Sequence, residues 1–518
     1  MGEQVWHTPL TPLRFLARAV EVHPDAVSIV DGARTLTYRE FGAAATRLAR
    51  ALQAAGVAPG DRVAFCAPNI PDLLIAHFAV PLAGAVLVAI NTRLAPDEVR
   101  YICAHSGARL LFVHPSLGAV APAEVTTVGL ETPAYEDFLA GGSDEPLPWE
   151  VADEDAPISI NYTSGTTGRP KGVMYSHRGA YLNSLAEIVH SGFDQDTRYL
   201  WTLPMFHCNG WCTTWAVTAV AGRHVCLRAV RGEAIWAALD SAGITHLNGA
   251  PTVLTTIAAA PQAHELAAPL TVTTAGAPPS PTTIGQLEAI GARVIHVYGL
   301  TETYGPYSVC EYQDGWLALP AEQRALLLSR QGVGMLTADR LRVVDEDMRD
   351  VPADGATMGE IVMRGNNVML GYYADPEATA QAFRGGWFHS GDLGVMQPDG
   401  YVQLLDRAKD VVISGGENIS TVEVEQALLS HDAVYDVAVV GVPDPKWGER
   451  PKAFVVLKPG ASATEAELID HVRARLARFK APGAVEFLVE LPRTSTGKVQ
   501  KFELREREWA GHTARIQG

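Results

Sequence analysis

The sequence predicts an α/β protein built in several units. A large N-terminal domain reads as two α/β subdomains plus a small β-rich subdomain, and a small α+β C-terminal domain follows. Three observations carry this prediction. The 518 residues are too many for one ordinary domain. Over the first 300 residues or so, short apolar runs alternate with segments of helical periodicity, the pattern of a mostly parallel sheet covered by helices. From about residue 340 the texture changes to short alternating strands separated by Gly and Asp turns.

In chain order, a helix is expected over 13–20. A strand follows at Val27-Ser28-Ile29-Val30, with a hairpin turn at Asp31-Gly32 and a return strand at Leu36-Thr37-Tyr38. Apolar residues at helical spacing run over 39–55 and stop at Gly56, and 63–66 is a short buried strand. The most apolar stretch, 73–90, approaches membrane-span length. It contains His77, Pro81 and Gly84 and reads instead as a buried helix followed by a buried strand, Ala85-Val86-Leu87-Val88. A helix over 97–106 and a strand over 110–113 close the first half. A polar, proline-bearing connector spans 140–157. Beyond it come a strand at 157–160, a helix over 177–191 and a strand over 199–203. Further strands are expected at 225–227, 246–247, 271–273 and 294–297, with a helix over 235–242. Two α/β halves in series, one on each side of the connector, are therefore expected.

The β-rich subdomain rests on strands at 341–345, 359–363 and 401–404. The last stretch, about 110 residues after Lys409, is long enough for its own domain. Its strands are expected at 437–440 and 453–457 and one helix over 465–478. Ser420 with Glu423 makes a capping box for another helix ending at 429.

Composition narrows the function. A net charge of −17 and a pI near 5.4 argue against nonspecific nucleic-acid binding and against an anionic membrane surface, while leaving room for an anionic nucleotide in a locally positive pocket. The six cysteines are scattered without a disulfide framework, so a reducing compartment, the cytoplasm, is expected. Cys208 and Cys212 lie beside His207, but no second ligand pair has zinc spacing. The opening residues lack a basic start followed by an apolar run, so no signal peptide is expected, and no transmembrane segment or lipidation signal is expected either.

The chemistry is concentrated in Asn161-Tyr-Thr-Ser-Gly-Thr-Thr-Gly-Arg-Pro-Lys-Gly172. Glycines let the backbone approach a ligand, and backbone N–H groups with Thr and Ser hydroxyls supply donors for phosphate oxygens. Lys171 adds a compact positive charge. A polar surface turn seldom gathers so many donors beside one cation. The order of residues is not that of the common nucleotide P-loop, which needs Gly-Lys-Ser/Thr after a four-residue gap. Further motifs are Pro204-Met-Phe-His-Cys-Asn-Gly-Trp211 after a strand, Tyr298-Gly-Leu-Thr-Glu-Thr303 after another, and Phe388-His-Ser-Gly-Asp-Leu-Gly394 in a turn. Asp406-Arg-Ala-Lys-Asp410 stands at the domain boundary, followed by Ser414-Gly-Gly-Glu-Asn-Ile419, and Pro492-Arg-Thr-Ser-Thr-Gly-Lys498 comes late. Each has an ordinary reading when taken alone: Glu302 as a helix-end carboxylate, Asp392 as a turn residue, Trp211 as core, Lys498 as a solvated lysine.

Their order and spacing as a set resemble the AMP-forming acyl-CoA synthetase family of the adenylate-forming superfamily, over nearly the whole chain. Pro204–Trp211 and Arg330-Gln331-Gly332-Val333 are similar to a narrower branch, that of plant acyl-activating enzymes and bacterial 3-methylmercaptopropionate–CoA ligases. The resemblance implies a two-step reaction. A carboxylic acid and ATP give an acyl-adenylate and pyrophosphate, and coenzyme A then displaces AMP. The alternative is a free-standing enzyme loading a carrier protein in trans. Only 20 residues follow Lys498, so no fused carrier is expected.

By resemblance, Thr163, Ser164, Gly165, Thr166, Thr167, Gly168 and Lys171 cradle the β- and γ-phosphates, and Thr301 binds the α-phosphate. Glu302 holds Mg²⁺, a hard cation suited to oxygen ligands. Gly276, Ala277, Pro278, Tyr298 and Gly299 line the adenine slot, and Asp392 takes the ribose hydroxyls with Arg407 beside it. Lys498 bridges the substrate carboxylate and the α-phosphate. His207 stands at the mouth of the acyl pocket, whose wall is made by Trp211, Gly305 and Pro306; bulky Trp211 hints at a short- or medium-chain acid or a compact ring. The C-terminal domain (409–518) rotates about Lys409 relative to 1–408 and presents a second face, with Gly415, Gly416 and Glu417, for thioester formation. A small carboxylic acid is thus the expected partner, without nucleic acid; a homodimer is compatible with the sequence.

Overall fold

The computed structural model describes residues 7–163, 169–277, 279–414, 417–494 and 498–510. Of the candidate site residues, Ser164, Gly165, Thr166, Thr167, Gly168, Pro278, Gly415 and Gly416 lie outside the described residues.

Two large sheets dominate the first 340 residues. The seven-stranded sheet runs, edge to edge, Gly371–Tyr372, Gly172–Ser176, Pro157–Tyr162, Val86–Ala89, Arg62–Cys66, Ala108–Val113, Thr126–Gly129. The nine-stranded sheet runs Val333–Gly334, Gly305–Val309, Ala292–Leu300, Leu270–Thr274, His246–Gly249, Arg198–Leu200, Arg223–Val225, Val27–Asp31, Arg34–Thr37. Both are parallel in their middles; the nine-stranded sheet is antiparallel at both margins, the seven-stranded sheet only at the margin of Gly371–Tyr372 and Gly172–Ser176.

The halves are not in series. The early hairpin Val27–Thr37 crosses to the second sheet, where Ile29 pairs with His224 in parallel register. Pro157–Tyr162 and Gly172–Ser176, after the connector, complete the first sheet. Periodicity identifies a strand, but its sheet is chosen by tertiary burial. The helix Pro71–Leu82 shows what binds the two sheets: all of its residues are buried, and it touches Val27–Asp31 of one sheet and Arg62–Cys66 and Val86–Ala89 of the other. A helix that is apolar all round belongs between layers. Its Pro81 has no N–H to give to the carbonyl of His77 four residues earlier, and Trp215 Nε1 donates to that carbonyl instead, at 3.2 Å.

Several boundaries move for local reasons. Tyr38 opens the helix Tyr38–Ala54 instead of ending a strand, because Thr37 and Glu40 form a reciprocal capping box. The expected strand over 199–203 ends at Leu200. Residues 388–394, expected as a turn, lie in the strand Phe388–Met396 of a four-stranded antiparallel sheet with Arg342–Val344, Met358–Met363 and Val402–Arg407. The Gly and Asp content read as a turn, but Asp392 faces inward and is matched across the ladder by Arg407.

The C-terminal part has its own core, around Val412, Val424, Leu428, Val437, Val455 and Leu468. Its long hairpin Val434–Asp444 and Gly448–Leu457 is flanked by Thr421–Leu429, Glu465–Arg473 and Lys501–Trp509. Only half of the expected capping box forms. Ser420 Oγ accepts from Glu423 N at 3.1 Å, while the Glu423 carboxylate accepts from Lys480 Nζ at 2.6 and 2.9 Å. The helix from Glu465 stops at Arg473, short of 478, and Arg478–Lys480 forms a separate 3-10 turn just ahead of Pro482.

Candidate active site

The phosphate-loop motif joins two antiparallel neighbours, Pro157–Tyr162 and Gly172–Ser176, with Tyr162 paired to Gly172. Thr163 N donates to Lys171 O at 3.0 Å and Lys171 N donates to Thr163 Oγ1 at 3.2 Å, which closes the neck of the loop. A P-loop is followed directly by a helix, whose N-terminus faces the phosphates; here the element that follows is the antiparallel strand Gly172–Ser176. Lys171 Nζ lies 4.7 Å from the ring centre of Tyr372, and the Tyr372 hydroxyl donates to Glu302 Oε1 at 2.9 Å. One tyrosine thus links the loop's lysine to the acidic residue, a connection with no sequence signal because Tyr372 lies 70 residues beyond Glu302.

Thr301 and Glu302 sit in a 3-10 turn at the end of the strand Ala292–Leu300. Gly299 admits no side chain there: a Cβ would lie 1.8 Å from Gly305 O. Two further residues the sequence did not reveal hold the turn. Tyr175 OH donates to Thr301 O, and Tyr304 OH accepts from Ser176 N at 2.6 Å. Their rings stack with centroids 4.0 Å apart. The strand leaving the phosphate loop is therefore fixed to the turn carrying Thr301 and Glu302.

A second constellation is formed by Tyr298, Asp392 and Arg407. The Tyr298 hydroxyl donates to Asp392 Oδ2 at 2.7 Å, and Arg407 Nε lies 2.9 Å from Asp392 Oδ1. Asp392 raises the Arg407 guanidinium above its ordinary range; burial, then Asp392, raises the Tyr298 phenol. A carboxylate held from two sides is pre-oriented to accept from ligand hydroxyls.

The C-terminal part contributes Lys498. Its N donates to Thr494 Oγ1 at 3.1 Å, and its Cε lies 3.5 Å from where a Cβ on Gly276 would be. The latter is an ordinary van der Waals distance, and what favours glycine at 276 is its φ of +95°. Lys498 and Thr301 line a cavity of about 70 Å³ together with Asn161, Thr163, Phe206 and His207. Burial, then the charge of Arg407, lowers the Lys498 ammonium below its ordinary value. Burial, then Lys498, pushes His207 down to about 3, so its imidazole is neutral at pH 7. The cavity's cation is the lysine.

Beyond His207 the backbone is unusual. Cys208, Asn209, Gly210, Trp211 and Cys212 all have left-handed φ, between 51° and 62°. For each non-glycine residue this costs roughly 1–2 kcal/mol. The turn aims Trp211 at Gly305, where a Cβ would lie 2.7 Å from Trp211 Cδ1. Pro306 is buried in the same strand, Gly305–Val309. Trp211, Gly305 and Pro306 are thus brought together. Glu417 is not: it is exposed on the hairpin with Val412–Ser414 and does not line this cavity. Ala277 is exposed beside Gly276. Lys409 lies in the turn after Arg407, between Asp406 and Asp410.

Two family models match: the AMP-binding enzyme over residues 16–373 and the AMP-binding enzyme C-terminal domain over 423–498. An acetate–CoA ligase of Humulus lupulus is 44% identical, over 96% of this chain and 94% of the relative. A 4-hydroxybutyrate–CoA ligase of Metallosphaera sedula is 42% identical, over 96% and 95%. Among solved structures, ATP-bound MatB from Rhodopseudomonas palustris superposes with a TM-score of 0.85 at 30% identity, over 96% of this chain and 98% of that one. An anthranilate CoA ligase in complex with anthranoyl-AMP gives 0.88 at 25%, over 97% and 98%. With its paired AMP-binding domains and near full-length likeness to acid–CoA ligases, the chain belongs to the adenylate-forming AMP-binding enzyme family, in the branch of plant acyl-activating enzymes, and is an ATP-dependent acid–CoA ligase that works through an acyl-adenylate.

Proposed function

We propose that the cavity at Lys498 is where a short-chain carboxylate meets the α-phosphate of ATP. The observation that carries this reading is the convergence of Lys498 with Thr301, Thr163 and His207 on one small cavity. Two anions must approach, and a preorganised ammonium in a water-poor site lowers the cost of their meeting. Lys498 bridges the substrate carboxylate and the α-phosphate, which Thr301 also binds. Thr163 and Lys171 hold the β- and γ-phosphates, so that pyrophosphate departs toward the hairpin loop. Asp392, held by Tyr298 and Arg407, takes the ribose hydroxyls. Glu302 offers a hard carboxylate oxygen, oriented by Tyr372 and close to the phosphate loop, which fits Mg²⁺. Mg²⁺ there would supply charge neutralisation for the phosphates.

For the second step, the C-terminal domain (409–518) turns about Lys409, withdrawing Lys498 and bringing the face with Gly415, Gly416 and Glu417 to the thiol of coenzyme A. The exposure of Glu417, which does not line the cavity, supports this division of labour. A short acid is supported by the Trp211–Gly305 contact and by relatives named for acetate, butyrate and 2-methylpropanoate. All six cysteines are free and buried, which supports a reducing compartment such as the cytoplasm, although some relatives are named as peroxisomal.

AMP release from ATP, measured over acids from acetate to long-chain and aromatic with and without coenzyme A, tests the reading. Release that requires a short acid and coenzyme A is the expected result. Release confined to long-chain acids overturns the short-acid assignment, and pyrophosphate release without AMP points to a carrier protein as acceptor.

A further inference from the structure

The left-handed turn after His207 is fastened to the strand that opens the phosphate loop, through one side chain. Asn209 is fully buried, and its Oδ1 accepts from Ser159 Oγ at 2.8 Å and from Asn161 Nδ2 at 2.7 Å. Ser159 and Asn161 are alternate residues of Pro157–Tyr162, so both side chains reach the same face of the strand. Two residues after Asn161 stands Thr163, which closes the neck of the phosphate loop with Lys171. Two residues before Asn209 stands His207, and two after it stands Trp211. Asn161, Thr163 and His207 all line the cavity that receives Lys498.

The rest of the turn is built to hold Asn209 in this pose. Thr214 Oγ1 donates to Asn209 O at 3.1 Å, and Gly210 N donates to His207 O at 2.9 Å. Trp201 closes over Gly210, where a Cβ would lie 2.5 Å from Trp201 Cζ3. Asparagine is also the side chain, after glycine, that best tolerates a left-handed backbone. Two demands thus fall on one residue: a left-handed φ of 51° and an acceptor for two buried donors.

We propose that Asn209 is a positioning residue for the adenylation step. Its carboxamide is a strut between the turn that shapes the acid's side of the cavity and the strand that carries the phosphate loop, and it sets the separation at which carboxylate and α-phosphate meet. The proposal rests on the assignment of that cavity given above. A strut acts on geometry more than on affinity, so its loss lowers kcat and leaves KM for the acid nearly unchanged.

The test is acid-dependent ATP–pyrophosphate exchange in five proteins: wild type, Asn209→Gly, Asn209→Asp, Ser159→Ala and the double variant Asn209→Gly/Ser159→Ala. Glycine keeps the left-handed backbone and removes only the strut. We expect Asn209→Gly to lose about tenfold or more in kcat, with KM for the acid changed less than about threefold. Asn209→Asp, which keeps the accepting oxygen, recovers most of the rate. Ser159→Ala, the mildest truncation, gives a smaller loss, and the double variant is no slower than Asn209→Gly, because both changes cut the same link. Wild-type kcat in Asn209→Gly overturns the strut, as does a double variant whose losses multiply. A wild type that exchanges pyrophosphate with none of the acids refutes the cavity assignment and the strut together, so the two failures are told apart by the wild type alone.

Discussion

At the scale of single residues, the account turns on the protonation of Lys498. Burial and the neighbouring Arg407 both favour its neutral form, so the proton leaves at a lower pH than from an ordinary lysine, about 10.4. In the proposed adenylation step the ammonium is the form that bridges the two anions. Activity is therefore full below the depressed pKa and is lost as pH rises through it. Because kcat/KM for ATP reports the free enzyme, its alkaline limb is expected below pH 10.4, whereas in kcat, with anionic ATP bound, the limb moves upward. Lys498→Arg, whatever its absolute rate, loses this limb, since a guanidinium stays charged throughout. An unchanged limb in that variant would assign the titration to another group. The residues proposed to carry charge, Lys171, Glu302, Asp392, Arg407 and Lys498, stand out in the sequence because each sits in a compact motif. Tyr372, Tyr175, Tyr304 and Asn209 do not. Each acts on a partner far away along the chain, and nothing local distinguishes such a tyrosine or asparagine from core.

At the scale of elements, the sequence carried the existence of strands and helices better than their placement. The helix His177–Ser191 begins and ends where periodicity puts it, with Ser176 as N-cap and Gly192 as a left-handed stop. The left-handed run 208–212 left a weaker mark, since only Asn209 and Gly210 among its five residues favour the conformation, while Cys208, Trp211 and Cys212 do not. That run brings Trp211 against Gly305, and the contact is expected to cap the acyl pocket. Trp211→Gly removes the ring while remaining at ease at φ 56°. The ratio of kcat/KM for hexanoate over acetate is expected to rise about tenfold or more, in line with what a few methylenes in an apolar pocket are worth. An unchanged ratio would place the wall elsewhere. The buried indole's loss also lowers stability, by about 3–5 kcal/mol if the site does not collapse, so the thermal midpoint should be measured alongside.

At the scale of the whole molecule, the two large sheets exchange strands, and the helix Pro71–Leu82 is buried between them. Composition and alternation announced an α/β architecture, but no local rule says that the hairpin Val27–Thr37 will cross to the far sheet. The C-terminal part is joined to the rest by contacts that span the proposed hinge. Asp406, before Lys409, accepts from Thr421 N and Oγ1 at 2.6 Å, and Lys501 Nζ donates to Thr421 Oγ1 at 2.6 Å while pairing with Glu425 at 2.8 Å. This orientation carries Lys498 into the cavity while Glu417 stays outside it. The central claim is that the orientation serves adenylation alone. It is tested most directly by measuring the two half-reactions of Lys498→Ala separately: acyl-adenylate formation from ATP and acid, and thioester formation from preformed acyl-adenylate and coenzyme A. We predict that the first falls by roughly a hundred- to a thousandfold, the loss typical of one preorganised charge, while the second stays within a few fold of wild type. An equal fall in both would contradict the account.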